Sequence, residues 1–187
     1  MSLFRTLSGA ALVCLAGASV SSCLNAPDYP IEPQIDFKEV QVTRVPASGG
    51  NLAVTTLKFV LNFRDGDGDL GLSPDDIEVA PWNARTGGPN NRGYGLNYFI
   101  QPFLKDPVTG QFVRFVIDSP GEYDSRYPRL DGADAKPAPL KGELRYELPL
   151  SIDRTFLRSG QVFRFEISIM DRALHQSNTI TTSEVTL

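Results

Sequence analysis

The chain has few of the residues from which catalytic and redox centres are commonly built. Its 187 residues include two cysteines, Cys14 and Cys23, and one histidine, His175. A histidine-rich zinc site is therefore excluded, and a serine-histidine-aspartate triad would have to use His175. Because His175 lies in a polar segment between the last two predicted strands, we expect it to be an exposed turn residue. We predict that the protein is not an enzyme.

An excess of positive charge is also missing. The chain has 18 Lys and Arg against 22 Asp and Glu, which gives a net charge of −4 at pH 7. Without residues 1–22, in which Arg5 is the one charged residue, the net charge is about −5. This balance excludes nucleic acid as a partner. A phosphate-binding loop is not expected either, since Gly66 and Gly68 lie between aspartates that repel phosphate.

No apolar run is long enough to span a bilayer. The most apolar stretch, residues 9–18, is about half of the roughly 20 residues that a spanning helix needs. Arg5 precedes this stretch, and small residues follow it up to Cys23. This is the tripartite order of a secretory signal.

Residues 20–23, with the sequence VSSC, are typical of a bacterial lipoprotein signal. They predict removal of residues 1–22 and acylation of Cys23, which would attach the protein to a membrane. Cys14 leaves with the leader, so no disulfide is expected in the mature chain. We expect the protein in the cell envelope, at the outer membrane, because Leu24 does not favour retention in the inner membrane. The alternative is an ordinary signal peptide followed by a free cysteine.

The segment 23–34 is rich in proline, with Pro27, Pro30 and Pro33 at every third position. This spacing favours an extended polyproline conformation over a packed element. It predicts a tether between Cys23 and a single domain over residues 35–187. The alternative is that the segment lies along the domain as an edge strand.

Beyond the tether, apolar residues recur with a period of two, which is typical of half-buried strands. The clearest strands cover residues 57–63, 143–152 and 163–169, and weaker ones cover 35–45, 96–104, 111–117 and 177–187. About seven strands predict an all-β fold, an antiparallel β-sandwich of the immunoglobulin or fibronectin type III kind. Because Pro149 cannot donate to a ladder, its strand is expected at a sheet edge or at a bulge.

The run from Asp65 to Asp76, directly after the first clear strand, predicts a calcium loop. Carboxylates at alternate positions repel one another unless a cation lies among them, and the glycines between them let the chain curl around it. With position one at Asp65, the candidate ligands fall at positions three, five, seven, nine and twelve. They are Asp67, Asp69, the Gly71 carbonyl, Ser73 or its water, and Asp76.

The register departs from the EF-hand pattern at two positions. Leu70 stands where a glycine is expected, and Asp76 replaces the longer glutamate. No helices are predicted to flank the loop, so we describe it as EF-like only. Asp171 and Asn178, near the ends of the last two predicted strands, could complete the ligand set. The alternative is a solvated turn, because Asp and Gly both favour turns.

Several motifs resemble a group of uncharacterised lipoproteins of the Bacteroidetes. They are the VSSC signal, the proline-spaced PDYPIEP arm, the run FRDGDGDLGL at 63–72, and the closing DRAL at 171–174 with SNTITT at 177–182. The resemblance covers both ends and one central motif, and it leaves residues 80–141 without a distinctive signature. It implies the lipid anchor and the metal loop and adds nothing about a substrate.

Two long segments, residues 80–95 and 119–142, offer places for a binding function. They carry the aromatic residues Trp82, Tyr94, Tyr123 and Tyr127. Exposed rings on loops stack on sugars or anchor a protein partner. The alternative is that these rings pack beneath their loops as a satellite core.

Together these features predict a lipid-anchored binding or structural module of the cell envelope, stabilised by Ca²⁺. Its partner would be a glycan or an envelope protein, and the oligomeric state stays open. The second hypothesis is a carbohydrate-binding accessory lipoprotein that uses the aromatic loops. The third is an envelope hydrolase, for which a pair of carboxylates among the 22 acidic residues would be needed.

Overall fold

The computed structural model describes residues 27–85, 94–132 and 135–187, and these residues form an all-β architecture. The predicted leader, Cys23 and the first residues of the predicted tether lie outside the described residues. Eight strands are present in the described chain. They are β1 (Gln34–Val45), β2 (Ala53–Asp65), β3 (Tyr98–Lys105), β4 (Phe112–Arg114), β5 (Leu140–Ile152), β6 (Val162–Ile169), β7 (Ile180–Thr181) and β8 (Val185–Thr186).

The strands form two antiparallel sheets, which confirms the predicted sandwich. One sheet has the order β1-β2-β5, and the other has the order β4-β3-β6, with β7 and β8 following one another along the free side of β6. This order agrees with the ABE and C′CFG sheets of immunoglobulin-like and fibronectin-like sandwiches. Within the described residues the one helical turn is a 3₁₀ helix, Asp76–Glu78. That part of the chain has no helix of the length and apolar character needed to cross a membrane.

Each predicted strand is present, and the last one is divided in two. Between β7 and β8, the side-chain hydroxyl of Thr182 accepts the hydrogen bond from the Phe165 backbone N–H. A side chain thus replaces a main-chain carbonyl in the ladder, and regular pairing stops there. The expectation for Pro149 is confirmed, because its strand β5 lies at the edge of its sheet.

The core lies between the two sheets and follows from the period-two pattern of β2 and β6. Leu57, Phe59 and Leu61 on β2 are fully buried, as is Ile167 on β6. The ring of Phe59 meets the ring of Phe165 edge to face, with 5.0 Å between the centroids. Aromatic contact of this kind fixes the spacing of the sheets as well as burying apolar area.

The described part of the proline-rich arm, residues 27–33, is neither a free tether nor an edge strand. The backbone N–H of Gly66 donates to the Pro30 carbonyl at 2.8 Å, and Pro33 is buried. Residues 27–33 take part in no strand, and β1 begins at Gln34. The arm is therefore packed against the loop that follows β2, which corrects the expectation of a free tether from Pro30 onward.

Candidate metal centre

Two connections meet at one end of the sandwich and bring distant residues together. Asp65 is the last residue of β2, in the first sheet, and Asp171 comes two residues after the end of β6, in the second sheet. The loop after β2 crosses this end, so that Leu70 forms an isolated bridge with Asp171. The Arg172 backbone N–H also donates to the carbonyl of Asp69 at 3.2 Å. The loop therefore joins the two sheets where β2 and β6 end.

Four carboxylates gather at this junction, and we call them the aspartate cluster. Asp65, Asp67, Asp69 and Asp171 each place one oxygen so that the four oxygens lie within 4.8 Å of one another. In a calcium site the metal-oxygen distances of about 2.3–2.6 Å put opposite ligands roughly 4.6–5.2 Å apart. The spacing of the cluster therefore suits one hard cation that is bound by oxygen ligands.

Several of these oxygens are buried without a hydrogen-bond partner. Asp65 is completely buried, and neither of its carboxylate oxygens accepts a hydrogen bond. One oxygen of Asp67 and one of Asp69 are in the same condition. A buried anionic group without a partner is very costly, so native proteins pair such groups or coordinate a metal with them. The four carboxylates of the cluster could hold a metal ion. The alternative of a solvated turn does not account for Asp65, which is buried.

Burial and mutual repulsion raise the pKa values of Asp65, Asp69 and Asp171. Burial, and then the charges of Asp67, Asp69 and Asp171, raise the pKa of Asp65 to about 7, which the nearby Gly68 backbone N–H only partly opposes. Burial, and then the charges of Asp171 and Asp67, raise the pKa of Asp69 to about 6. The pKa of Asp171 is also raised, chiefly by burial. A bound cation reverses this effect, because it favours the charged carboxylates.

Leu70 shows why the loop departs from the EF-hand pattern. Its side chain is fully buried in the main core, and Leu72 is buried in a second cluster with Trp82 and Phe99. A glycine at position six would leave the end of the core open. The apolar residues of the loop therefore close the end of the core, while its aspartates form part of the aspartate cluster.

A crossing segment, made of the described residues 127–132 and 135–138, holds the loop in place through its main chain. Backbone hydrogen bonds of 3.1 Å join Leu72 to Tyr127, Leu130 to Leu70, and Ala138 to the carbonyl of Asp67. Gly68 has a φ of +74°, and a Cβ there would lie 2.1 Å from the Ala138 carbonyl oxygen. Only glycine satisfies both conditions. These hydrogen bonds tie part of the long segment 119–142 to the loop that follows β2.

Three of the predicted ligands have hydrogen-bond partners outside the aspartate cluster. The Asp76 carboxylate accepts two hydrogen bonds from the guanidinium of Arg129, at 2.6 and 2.8 Å, and this pairing lowers its pKa. The Ser73 hydroxyl donates to Asp76 at 2.8 Å. The Gly71 carbonyl accepts a hydrogen bond from the Arg172 guanidinium at 3.2 Å. Of the EF-like register, the structure brings Asp65, Asp67 and Asp69 together, whereas Asp76 is paired with Arg129.

Asp171 takes the place that the sequence reasoning gave to Asp76, whereas Asn178 does not join the cluster. The Asn178 amide donates to the Ile35 carbonyl and accepts from the Ile35 N–H, each at 2.8 Å. It fixes the start of β1 instead of binding a metal.

His175 is not the exposed turn residue that we expected. Its backbone N–H donates to one Asp171 oxygen at 2.7 Å, and its Nδ1 lies 2.9 Å from the other. Burial opposes protonation of His175, but the hydrogen bond and the charge of Asp171 raise its pKa. The sequence analysis missed this pair, and the spacing of four residues within a tight turn is the signal that could have indicated it. His175 orients Asp171 and carries a positive charge beside the cluster when protonated.

The aromatic residues of the two long segments are mostly buried. Trp82 is 4% exposed and Tyr127 is 3% exposed, and Tyr123 packs against the main core. The Tyr94 hydroxyl donates to Glu78 at 2.8 Å. The alternative of a satellite core is thus confirmed for Trp82, and the premise of exposed stacking rings is wrong for Trp82 and Tyr127. Residues 86–93 and 133–134 of these segments lie outside the described residues.

Comparison with protein-family models, with curated proteins and with solved structures gave no match for this chain.

Proposed function

We propose that the protein is a lipid-anchored binding or structural module of the cell envelope whose sandwich is stabilised by one Ca²⁺ ion. The observation that carries the metal part is Asp65, a fully buried carboxylate with both oxygens unsatisfied among three further aspartates. Oxygen ligands without sulfur, and a single histidine bound to Asp171, favour Ca²⁺ over zinc or copper. The anchor is Cys23, by the lipoprotein signal at residues 20–23.

The role of the ion is structural in this proposal. Asp65 ends a strand of one sheet and Asp171 follows a strand of the other, so a shared ion crosslinks the sheets. The mature chain has no cysteine pair to do this, because the one cysteine after residue 22 is the acylation site. A metal crosslink in an exported domain then replaces the disulfide.

The carbohydrate-binding alternative loses its main support. It depended on stacking by exposed aromatic rings, and Trp82, the residue on which it rested most, is buried beside Leu72 and Phe99. A binding module that recognises an envelope protein or a glycan through other surfaces stays within the proposal.

Thermal unfolding of the full chain with calcium and with a chelator tests the proposal. A ligand that binds only the folded state, at a free concentration of 100 times its Kd, stabilises the folded state by about 2.7 kcal/mol. For a domain of this size, that corresponds to a rise in Tm of roughly 5–10 °C. We expect this rise with Ca²⁺, its reversal by chelator, and no calcium response in Asp65→Asn. A Tm that is identical in calcium and in chelator would contradict the calcium site.

A further inference from the structure

We propose that the same ion controls whether the N-terminal arm is docked on the domain. The inference rests on the proposed function, because it needs calcium in the aspartate cluster. It adds a regulatory role to that structural one. Calcium would set how far and in which orientation the sandwich is held from its acylated end.

The arm contacts the loop after β2 at a residue that stands between two proposed ligands. Gly66 lies between Asp65 and Asp67, and its backbone N–H donates to the Pro30 carbonyl at 2.8 Å. A Cβ on Gly66 would lie 2.3 Å from the Tyr29 carbonyl oxygen and 2.7 Å from that of Pro30. The main chain of the arm therefore rests directly on the loop, and only glycine leaves room for it.

Two anchoring points of different strength hold the arm. At its C-terminal end, Pro33 is buried, Ile35 is 1% exposed, and the Asn178 amide binds both backbone groups of Ile35. Further toward the N-terminus, the contact with Gly66 is made through one backbone hydrogen bond, and Ile31 between the two points is 49% exposed. The segment up to Pro30 can therefore detach while Ile35 stays fixed.

Closure of the loop around a cation determines whether the weaker contact, between Gly66 and Pro30, forms. Without a cation, repulsion among Asp65, Asp67 and Asp69 favours a spread loop, which moves the Gly66 N–H away from the arm. With a cation the loop closes into the observed conformation and presents that N–H to Pro30. One hydrogen bond of this kind changes an equilibrium by roughly tenfold, so the docked arm is stable enough to form and weak enough to release.

Docking changes the reach of the chain between Cys23 and the domain. An extended segment spans about 3.1 Å per residue. The seven residues from Cys23 to a docked Pro30 span at most about 20 Å, whereas the segment from Cys23 to Gln34 spans about 30 Å when it is released. Docking also fixes the direction in which the chain leaves the domain, beside the aspartate cluster.

A spin label on the arm tests the coupling. We would use the full chain with Cys14→Ser and Cys23→Ser, which leaves no other cysteine, and label Asp28→Cys, an exposed position on the arm. A label at Val108→Cys, which is 91% exposed in the β3–β4 connection, is the control. Calcium binding is measured by calorimetry on the same samples. We expect Ca²⁺ to raise the ratio of immobile to mobile label at position 28 by roughly tenfold and to leave position 108 unchanged.

Gly66→Ala separates docking from metal binding. Its Cβ displaces the arm, while the four carboxylates stay, so we expect calcium binding without immobilisation of the label. Should this variant fail to bind calcium, hydrogen exchange of the Gly66 amide in the unsubstituted chain serves instead, with slowing of tenfold or more expected in calcium. Calcium binding without any change at position 28, or without slowed exchange, overturns the inference and leaves the proposed function intact. Absence of calcium binding overturns both.

Discussion

At the scale of single residues, Asp65 gives the main reason to place an ion in this fold. Taking a carboxylate out of water without a partner costs several kcal/mol. The residue is nevertheless placed at the end of a central strand, where it is completely buried. A protein keeps such a residue when something in the folded state compensates it, and Asp65 with its three neighbouring carboxylates could hold a metal ion.

Asp171 and Asp76 give a direct comparison at this scale. We expect Asp171→Asn to weaken calcium binding by at least tenfold, because it removes a buried anionic ligand from the cluster. Asp76→Asn should bind calcium normally and lose about 1–3 kcal/mol of stability, because it breaks the pair with Arg129. Calorimetric titration and urea unfolding measure the two effects. Loss of calcium binding in Asp76→Asn with none in Asp171→Asn would restore the EF-like register.

At the scale of elements, the connections between strands supply three of the four carboxylates of the cluster. The strands β2 and β6 bring Asp65 and Asp171 to the same end, and the loop at residues 66–73 supplies the other two aspartates. The crossing segment, residues 127–132 and 135–138, then contacts the loop through three backbone hydrogen bonds. The strands thus position Asp65 and Asp171, and the loop supplies Asp67 and Asp69.

The two hydrogen bonds between the Asn178 amide and the backbone of Ile35 form a clamp on the start of β1. Its contribution to stability can be predicted at this scale. Asn178→Ala leaves the backbone N–H and carbonyl of the buried Ile35 without their partners. We expect a loss of about 1–3 kcal/mol in the free energy of unfolding, measured with urea in saturating calcium. Asn62→Ala, at an exposed position on β2, is the matched control and should change stability by about 0.5 kcal/mol or less. Equal stability of the two variants would show that the clamp is energetically unimportant.

At the scale of the whole molecule, the two ends of the sandwich are chemically different. The aspartate cluster, the docked arm and the crossing segment all lie at the end where β1, β3 and β5 begin. The arm leads toward Cys23, so this end faces the proposed lipid anchor. The aspartate cluster, the arm that leads toward the proposed anchor and the long segments therefore share one end, and the opposite end carries short connections such as 46–52 and 106–111.

Stability of the whole domain should depend on pH in opposite ways with and without calcium. In chelator, the folded pKa values of about 7 for Asp65 and about 6 for Asp69 exceed the usual value of 3.8. The folded state then retains protons that the unfolded state has lost, so stability falls as pH rises from about 4 to 7. The raised pKa of His175 acts in the same direction. Each proton retained in this way contributes about 1.4 kcal/mol per pH unit.

Urea unfolding from pH 5 to pH 8 measures this dependence. We expect stability to decrease over this range in chelator, and to be flat or to increase in saturating calcium, since the ion binds the charged carboxylates. Asp65→Asn in chelator should remove much of the decrease. Stability that rises with pH in chelator would contradict the arrangement of the cluster.

The sequence by itself determined the sandwich and three of the four aspartates of the cluster. Alternation of apolar residues decides which face of a strand is buried, so β2, β5 and β6 were predictable, as was the edge position of Pro149. Alternating aspartates and glycines are likewise a local pattern, and they located Asp65, Asp67 and Asp69. The sequence did not determine whether rings such as Trp82 are buried or exposed, because their exposure depends on which segments fold over the loop.

Only the tertiary structure decided which residue completes the cluster. Asp76 and Asp171 are both carboxylates at a plausible place, and local spacing favoured Asp76. Asp76 forms an ion pair with Arg129. The packing of the two sheets instead brings Asp171 next to the loop, although about a hundred residues of chain separate them. Likewise, the contact between Pro30 and Gly66 joins segments that no periodicity relates. Local sequence fixes local geometry, but contacts between distant segments exist only after the sheets have packed.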